Sequence, residues 1–282
     1  GSNPSAPVLK DPFKGLFFVG ANMFNIENEL KKLIENGWLT QSEAHDFSQN
    51  EDIKNCISEC TSPAKENIFR ALKEVPLTKV RVVILGKDPY PNPKDAHGLA
   101  FSSDNKTTPD SLKNIFKAID KTYNSNLFEK AENNLTPWVK QGVLLLNTGL
   151  TYSRITDETL DKKERDQLQA KTQNKHMKIW KPFIKIIIQK ILSITDRPVV
   201  MLLWGNDAHN IVFSNIKYKS FSENAHSRNA ITIPNTKIML LQTSHPSPLS
   251  VNRGGDFPDT APVHFKECNN YLKENKINWT TL

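Results

Sequence analysis

Residues 80–91 read VRVVILGKDPYP. The first six, Val80–Leu85, are apolar except for Arg81; the run then breaks on Gly86 into a charged, proline-rich loop. A short run rich in β-branched residues, with little polar alternation, predicts a strand buried on both faces, as in a parallel sheet. Val143–Leu146 (VLLL), Val199–Trp204 (VVMLLW) and Lys237–Leu241 (KIMLL) share the pattern. Helical spacing falls between them. Thr108-Pro109 opens one helix, with Leu112, Ile115, Phe116 and Ile119 on its inner face. Ile179, Trp180, Phe183, Ile184, Ile187, Ile188 and Ile191 mark a second, and Pro182 predicts that its regular part begins there. His264–Asn275 reads as a third. Alternating strands and helices predict an α/β sandwich in one domain.

The rest of the chain sets bounds. It has 282 residues, with Lys+Arg 37 against Asp+Glu 30, a formal charge of +7. With 38% hydrophobic residues, wholesale disorder is not expected. No apolar run reaches the roughly 18 residues of a membrane span. Three cysteines suit a reducing, intracellular setting, with cytoplasm and nucleus undistinguished. Gly1-Ser2 reads as a cloning remnant, and no secretory signal is visible. The N-terminal region is expected to be mostly helical, over Ile26–Asn36 and Asn67–Lys73. Thr156–Lys175, dense in both charge signs and free of aromatics, reads as a solvated helix or mobile loop inserted on the surface. The basic balance permits a nucleic-acid partner without requiring one.

The chemistry follows the strands. After the first comes Gly86-Lys87-Asp88-Pro89-Tyr90-Pro91; the second ends in Asn147. The third runs into Gly205-Asn206-Asp207, and the fourth into Ser244-His245-Pro246-Ser247-Pro248-Leu249. Ligands of open parallel sheets bind beyond the carboxyl ends of the strands. A carboxylate, an amide and an imidazole are therefore expected to converge on one crevice. His176, His209, His226 and His264 show no metal-ligand spacing, and Cys56 and Cys60 lack a second pair, so no metal or cofactor is expected. His97 is expected to be a structural hydrogen bonder.

GKDPYPNPKDAHGLAFS (86–102), LLLN (144–147), LLWG (202–205) and HPSPLS (245–250) resemble the signature segments of the uracil-DNA glycosylases, specifically the uracil-N-glycosylase family. KENIFRAL (65–72), WVKQG (138–142), His264-Phe265 and Ile277-Asn278-Trp279 agree in order, so the resemblance covers roughly Ser62 to Trp279. It implies a central four-stranded parallel sheet flanked by helices, and removal of uracil from DNA without a metal. It divides the chain into an atypical region at 1–61 and a glycosylase domain at 62–282 carrying the 156–175 insertion.

The resemblance also implies roles. Asp88 matches the water-activating aspartate and His245 the histidine that stabilises the departing uracil. Among uracil contacts, Asn147 matches the amide that reads O4 and N3–H, Tyr90 the group excluding a 5-methyl, and Phe101 the stacking ring. Lys87 stands where the family usually has Gln, at a position that contributes a backbone amide. Pro109, Ser111, Gly205, Asn206 and Ser247 match loops gripping DNA phosphates. Leu249 matches the wedge that fills the gap left by the extruded nucleotide, with Arg253 adding nonspecific attraction. The implied partners are uracil-containing single- and double-stranded DNA and a DNA-mimicking protein inhibitor. A monomer and no membrane are expected.

Some positions depart from the pattern. Pro91 replaces the usual His, Asp110 sits in a phosphate loop, and Asn252–Asp259 is long and acidic. With Lys87 and the insertion, they motivate an alternative expectation: a DNA-binding relative with weakened catalysis, serving as a scaffold or replication accessory. A third, altered base specificity, is opposed by Tyr90 and Asn147.

Overall fold

The computed structural model describes residues 24–130, 132–216 and 230–282; Gly1-Ser2 and His226 lie outside them. Three amphipathic helices come first: α1 (Ile26–Glu35), α2 (Gln41–Gln49) and α3 (Glu51–Ser58). Local signals start each one. Asn25 and Asn50 accept first-turn amides of α1 and α3, and Thr40 with Glu43 forms a reciprocal capping box on α2. Trp38 is fully buried, and its indole donates to Val75 O (3.0 Å), just past α4 (Arg70–Glu74). That bond ties the N-terminal helices to the rest of the core.

The sheet holds β1 (Val82–Gly86), β2 (Val143–Asn147), β3 (Val199–Trp204), β4 (Ile231–Thr232) and β5 (Ile238–Thr243), in the order β2-β1-β3-β5-β4. The four expected strands are parallel to one another. All residues of β1, β3 and β5 are buried, as the apolar runs that make up most of them require, with Gln242 and Thr243 at the end of β5 buried as well; burying each large apolar side chain is worth about 1.5–3 kcal/mol. The sheet has five strands where four were expected. The fifth, β4, is antiparallel to β5, with Ile231 opposite Leu240 and Thr232 opposite Met239. Two residues carry no readable period. Their turn is readable: Pro234 is followed by Asn235 at φ 60°, and Thr236 N bonds to Ile233 O, as a type II turn requires.

The helices α5 (Asp110–Tyr123), α6 (Leu127–Lys130), α7 (Thr136–Val139), α8 (Lys162–Leu192), α9 (Asn206–Phe213), α10 (Pro248–Val251) and α11 (Phe257–Leu272) complete the fold. Pro109 caps α5 instead of opening it, a one-residue offset. The second helix does not begin at Pro182; α8 runs straight through it. Pro182 is on the exposed side, where the carbonyl it leaves unpaired can meet water, and the buried residues continue on both sides of it. The third helix starts at Phe257 rather than His264, because the inner face already includes Phe257, Thr260 and Ala261.

Thr156–Lys175 is largely exposed, as expected of a solvated segment, but from Lys162 onward it is the first half of α8. Gln169 accepts from Ile155 N (2.9 Å) and donates to Ser153 O (2.9 Å), fastening the helix to the chain after β2. His97 bonds Ser102 Oγ (2.7 Å) and Arg70, consistent with a structural role. No described helix is long and apolar enough to cross a membrane.

Candidate active site

Four parallel strands end on the same edge of the sheet, so the four loops after them meet there. Register sets them abreast. Gly86 pairs with Asn147 and Trp204 with Thr243. Asp88, Lys87, Tyr90, Phe101, Ser111, Asn147 and His245 line one cleft of about 220 Å³. Lys87, Gly205, Asn206, Ser247 and His245 line an adjoining one of about 250 Å³. Leu249 stands 63% exposed on α10 beside Ser247, and Arg253 is exposed just beyond that helix. Pro109 adjoins Ser111 at the start of α5.

Glycine permits the close approaches. A Cβ on Gly86 would overlap Asn147 Oδ1 and come within 2.9 Å of Ala100 Cβ, so a larger residue would displace the amide. Gly205 has φ 89°, in the left-handed region, and a Cβ there would lie 3.0 Å from His245 Cβ.

His245 is held by its neighbours. Its Nδ1 accepts the Ser247 amide proton (3.0 Å). Nδ1 therefore carries a lone pair, and the neutral ring keeps its proton on Nε2. Burial pushes the imidazole pKa down to about 4, with Lys87 adding to the effect and Asp207 opposing it. Asp88 moves the other way. Burial raises its carboxyl to about 6; Lys87 opposes the rise and Asp207 adds to it. Lys87 and Asp207 face each other at 3.5 Å, each about half exposed, so their opposite fields at the site largely cancel.

Tyr90 and Phe101 form one unit, because Tyr90 Oη donates to Phe101 O (2.9 Å). Phe101 is buried with φ 64°, rare for a bulky side chain and worth about 1–3 kcal/mol of strain. Its ring packs against Trp204 (5.4 Å) and His245 (5.8 Å). That backbone turn brings an aromatic side chain into the cleft from a loop.

Several residues that support the site gave no signal in the sequence. Asn114 on α5 donates to Pro246 O (2.8 Å), and Asp256 accepts from Ser244 N (2.9 Å) and Thr243 Oγ1 (3.0 Å). Both pin the loop that carries His245. Burial would raise the Asp256 carboxyl, but its hydrogen bonds from Ser244, Thr243 and Thr260 outweigh that and hold it low. The acidic stretch after Leu249 thus includes one carboxylate committed to loop structure, and Asp259 faces Lys121 (3.5 Å). Asp110 likewise pairs with Lys113 (2.8 Å). Ser62 Oγ donates to Tyr90 O (2.7 Å) and steadies the loop after β1.

Comparison with known proteins agrees with this geometry. A family model described as the uracil DNA glycosylase superfamily matches residues 72–273. The chain is 37% identical over 217 residues to a uracil-DNA glycosylase of Streptococcus uberis, spanning 76% of this chain and 80% of that protein. It is 37% identical over 246 residues to one of Francisella tularensis subsp. novicida, spanning 84% and 93%. Among solved structures, mimivirus uracil-DNA glycosylase shares the fold, with TM-score 0.59 and 21% identity over 90% of this chain and 92% of that one. A variant of the mimivirus protein solved in complex with UGI aligns with TM-score 0.57 and 22% identity, over 90% and 86%. On the extent of the sequence match and the agreement in fold, the chain belongs to the uracil-DNA glycosylase superfamily.

Proposed function

We propose that this chain hydrolyses the bond between uracil N1 and deoxyribose C1′ in DNA, with Asp88 and His245 as the groups acting at the reacting atoms. As the bond breaks, its electron pair leaves with uracil and positive charge grows on the sugar, as in other glycosyl transfers. The Asp88 carboxylate stabilises that cation and takes a proton from the water that bonds to C1′. His245 Nε2–H donates to uracil O2, where negative charge collects. The products are an abasic site and the uracil anion, which is protonated once released, while Asp88 returns its proton to solvent. The observation that carries this reading is the Ser247 amide on His245 Nδ1, which leaves Nε2 as the donor in a cleft shared with Asp88 and Asn147.

Tyr90 and Phe101 enclose the base, one against a 5-methyl group and the other on its face. Asn147 offers a donor to O4 and an acceptor to N3–H; cytosine presents the opposite polarity at both. Asn147→Asp is expected to lower the ratio of uracil to cytosine release by roughly 10–10². Parallel assays on U- and C-containing oligonucleotides measure the ratio, and an unchanged value removes Asn147 from base reading.

Pro109, Ser111, Gly205, Asn206 and Ser247 grip flanking phosphates, and Leu249 fills the vacated stack, with Arg253 adding nonspecific attraction. Lys87 contributes its backbone to the base. Substrates are uracil-containing single- and double-stranded DNA, because extrusion costs a few kcal/mol and less where the base is unpaired. A DNA-mimicking protein inhibitor is a further expected partner of that surface; a variant of the mimivirus protein has been solved in complex with UGI. The glycosylase unit is 62–282, carrying the insertion at 156–175; of the region 1–61, the described residues 24–61 pack on it, with Trp38 bonded to Val75 O. One chain supplies every group named, so a monomer suffices.

The test uses uracil-containing oligonucleotides in EDTA, followed by alkaline cleavage of abasic sites. Strand breaks at uracil are expected. Their absence at every enzyme excess overturns the proposal.

A further inference from the structure

The sequence from Gln167 to Leu192 contains no Asp or Glu and six lysines: Lys171, Lys175, Lys178, Lys181, Lys185 and Lys190. All of it lies on α8. The first five are spaced 4, 3, 3 and 4 apart, which places them along one face of the helix. All five are exposed. Among the described residues, only Lys190 of the six has a carboxylate partner, Glu43 at 3.5 Å. Neighbouring like charges at these spacings repel and weaken a helix. Acidic residues could relieve that repulsion, yet in this helix they are confined to its first turns, at Glu164 and Asp166.

Lys178 and Lys181 line a groove of about 570 Å³ between α8 and α9, together with Thr148, Asn210 and Asp207. The groove adjoins the site. Thr148 follows Asn147 in the chain, and its hydroxyl donates to Lys87 O (3.0 Å). Asp207 borders both this groove and the cleft that holds Gly205, Ser247 and His245. It is the single carboxylate among the groove's lining residues, and Lys87 faces it at 3.5 Å. Among the described residues, a row of lysines without carboxylate partners therefore runs away from the cleft, and two of them, Lys178 and Lys181, edge a groove of mixed polar and apolar lining.

We propose that the α8–α9 groove is a track for the phosphodiester backbone of DNA beyond the extruded nucleotide, with Lys178 and Lys181 as phosphate contacts. The proposal rests on the reading of the cleft as a uracil-DNA site. A flexible, hydrated ammonium suits this task, because it neutralises phosphates without reading sequence. The contacts would add affinity and reach along the strand and leave the chemical step alone.

The experiment measures binding of a 30-base-pair, uracil-free duplex by fluorescence anisotropy over a range of salt, which reads the groove whether or not uracil is released. Each phosphate contact contributes about 0.9 to the slope of log K against log salt on duplex DNA. Lys178→Gln/Lys181→Gln is expected to flatten that slope by roughly 1.8, and Lys178→Arg/Lys181→Arg to retain it. Lys140→Gln/Lys276→Gln removes the same net charge; Lys140 lies just before β2, at the opposite edge of the sheet from the cleft, and Lys276 is two residues from Asn278, which bonds Gln141 beside Lys140, so this variant should leave the slope near wild type. On uracil substrates the Gln pair should raise KM and leave kcat unchanged. A slope no flatter than that of the Lys140/Lys276 control overturns the track. Failure of the wild-type chain to release uracil overturns the function instead.

Discussion

Asp88→Asn is expected to bind uracil-containing DNA as tightly as wild type while losing about 10²–10⁴ of its rate of uracil release. Asparagine keeps the shape and still orients a water, but it neither accepts a proton nor faces the growing cation with a full charge. Wild-type kcat/KM is expected to fall tenfold per pH unit below about 6, where the carboxyl takes its proton. The variant's residual activity should show no such limb. Single-turnover assays between pH 4.5 and 8 decide this, and an acid limb near 6 in the variant would assign it to another group. Stability gives an independent readout. Burial raises the Asp88 pKa from 3.8 to about 6, so the native state holds the proton to higher pH than the unfolded chain does. Wild type therefore pays a desolvation cost that grows from pH 4 to 6 and persists above. Removing it should stabilise the variant at pH 7 by on the order of 2–3 kcal/mol, with the gap closing near pH 4. A variant that melts higher and turns over less has lost chemistry and kept its fold.

That trade explains what was legible in the amino-acid sequence. Strands buried on both faces announce themselves as apolar runs, and the loops after them must carry polar groups to a common edge. Asp88, Asn147 and His245 could thus be read as neighbours from the four strand ends, and their convergence on a shared cleft follows from parallel register. What could not be read depends on contacts between distant segments. Asn114 reaches Pro246 across 132 positions, and Asp256 folds back on the end of β5. No local period encodes either bond. The strained backbone of Phe101 is a tertiary outcome too, since no propensity favours φ 64° in a phenylalanine. Pro182 misled for a related reason. The rule that proline ends helices weighs one lost hydrogen bond, whereas buried residues on both sides of it outweigh that loss in α8. The two-residue β4 is held by its pairing with β5 and by the turn at Pro234-Asn235, not by a pattern of its own.

His245→Leu should cost about 10²–10³ in rate, the usual effect of removing one preorganised donor to a developing anion. Its pH signature should differ from that of Asp88. Burial depresses the imidazole pKa to about 4, so the ring is already neutral throughout the range in which Asp88 ionises. Replacing it leaves the acid limb near pH 6 in place and lowers the whole profile. A shifted limb would mean that His245, not Asp88, sets it. The stability signature has the opposite sign to that of Asp88. A folded-state pKa below the unfolded value near 6.5 means that the native state resists protonation, so wild type loses stability as pH falls from 6.5 toward 4. Leucine carries no such proton. Relative to wild type, His245→Leu should therefore gain stability on acidification over that window, whereas Asp88→Asn should lose its advantage over nearly the same one. The two buried groups pull the stability curve in opposite directions in wild type, and each variant exposes the slope that the other group leaves behind. Thermal melts of both variants and wild type between pH 4 and 7 read these differences directly, and parallel shifts in the two variants would refute the assignment of a neutral His245 beside a carboxylate that titrates near 6.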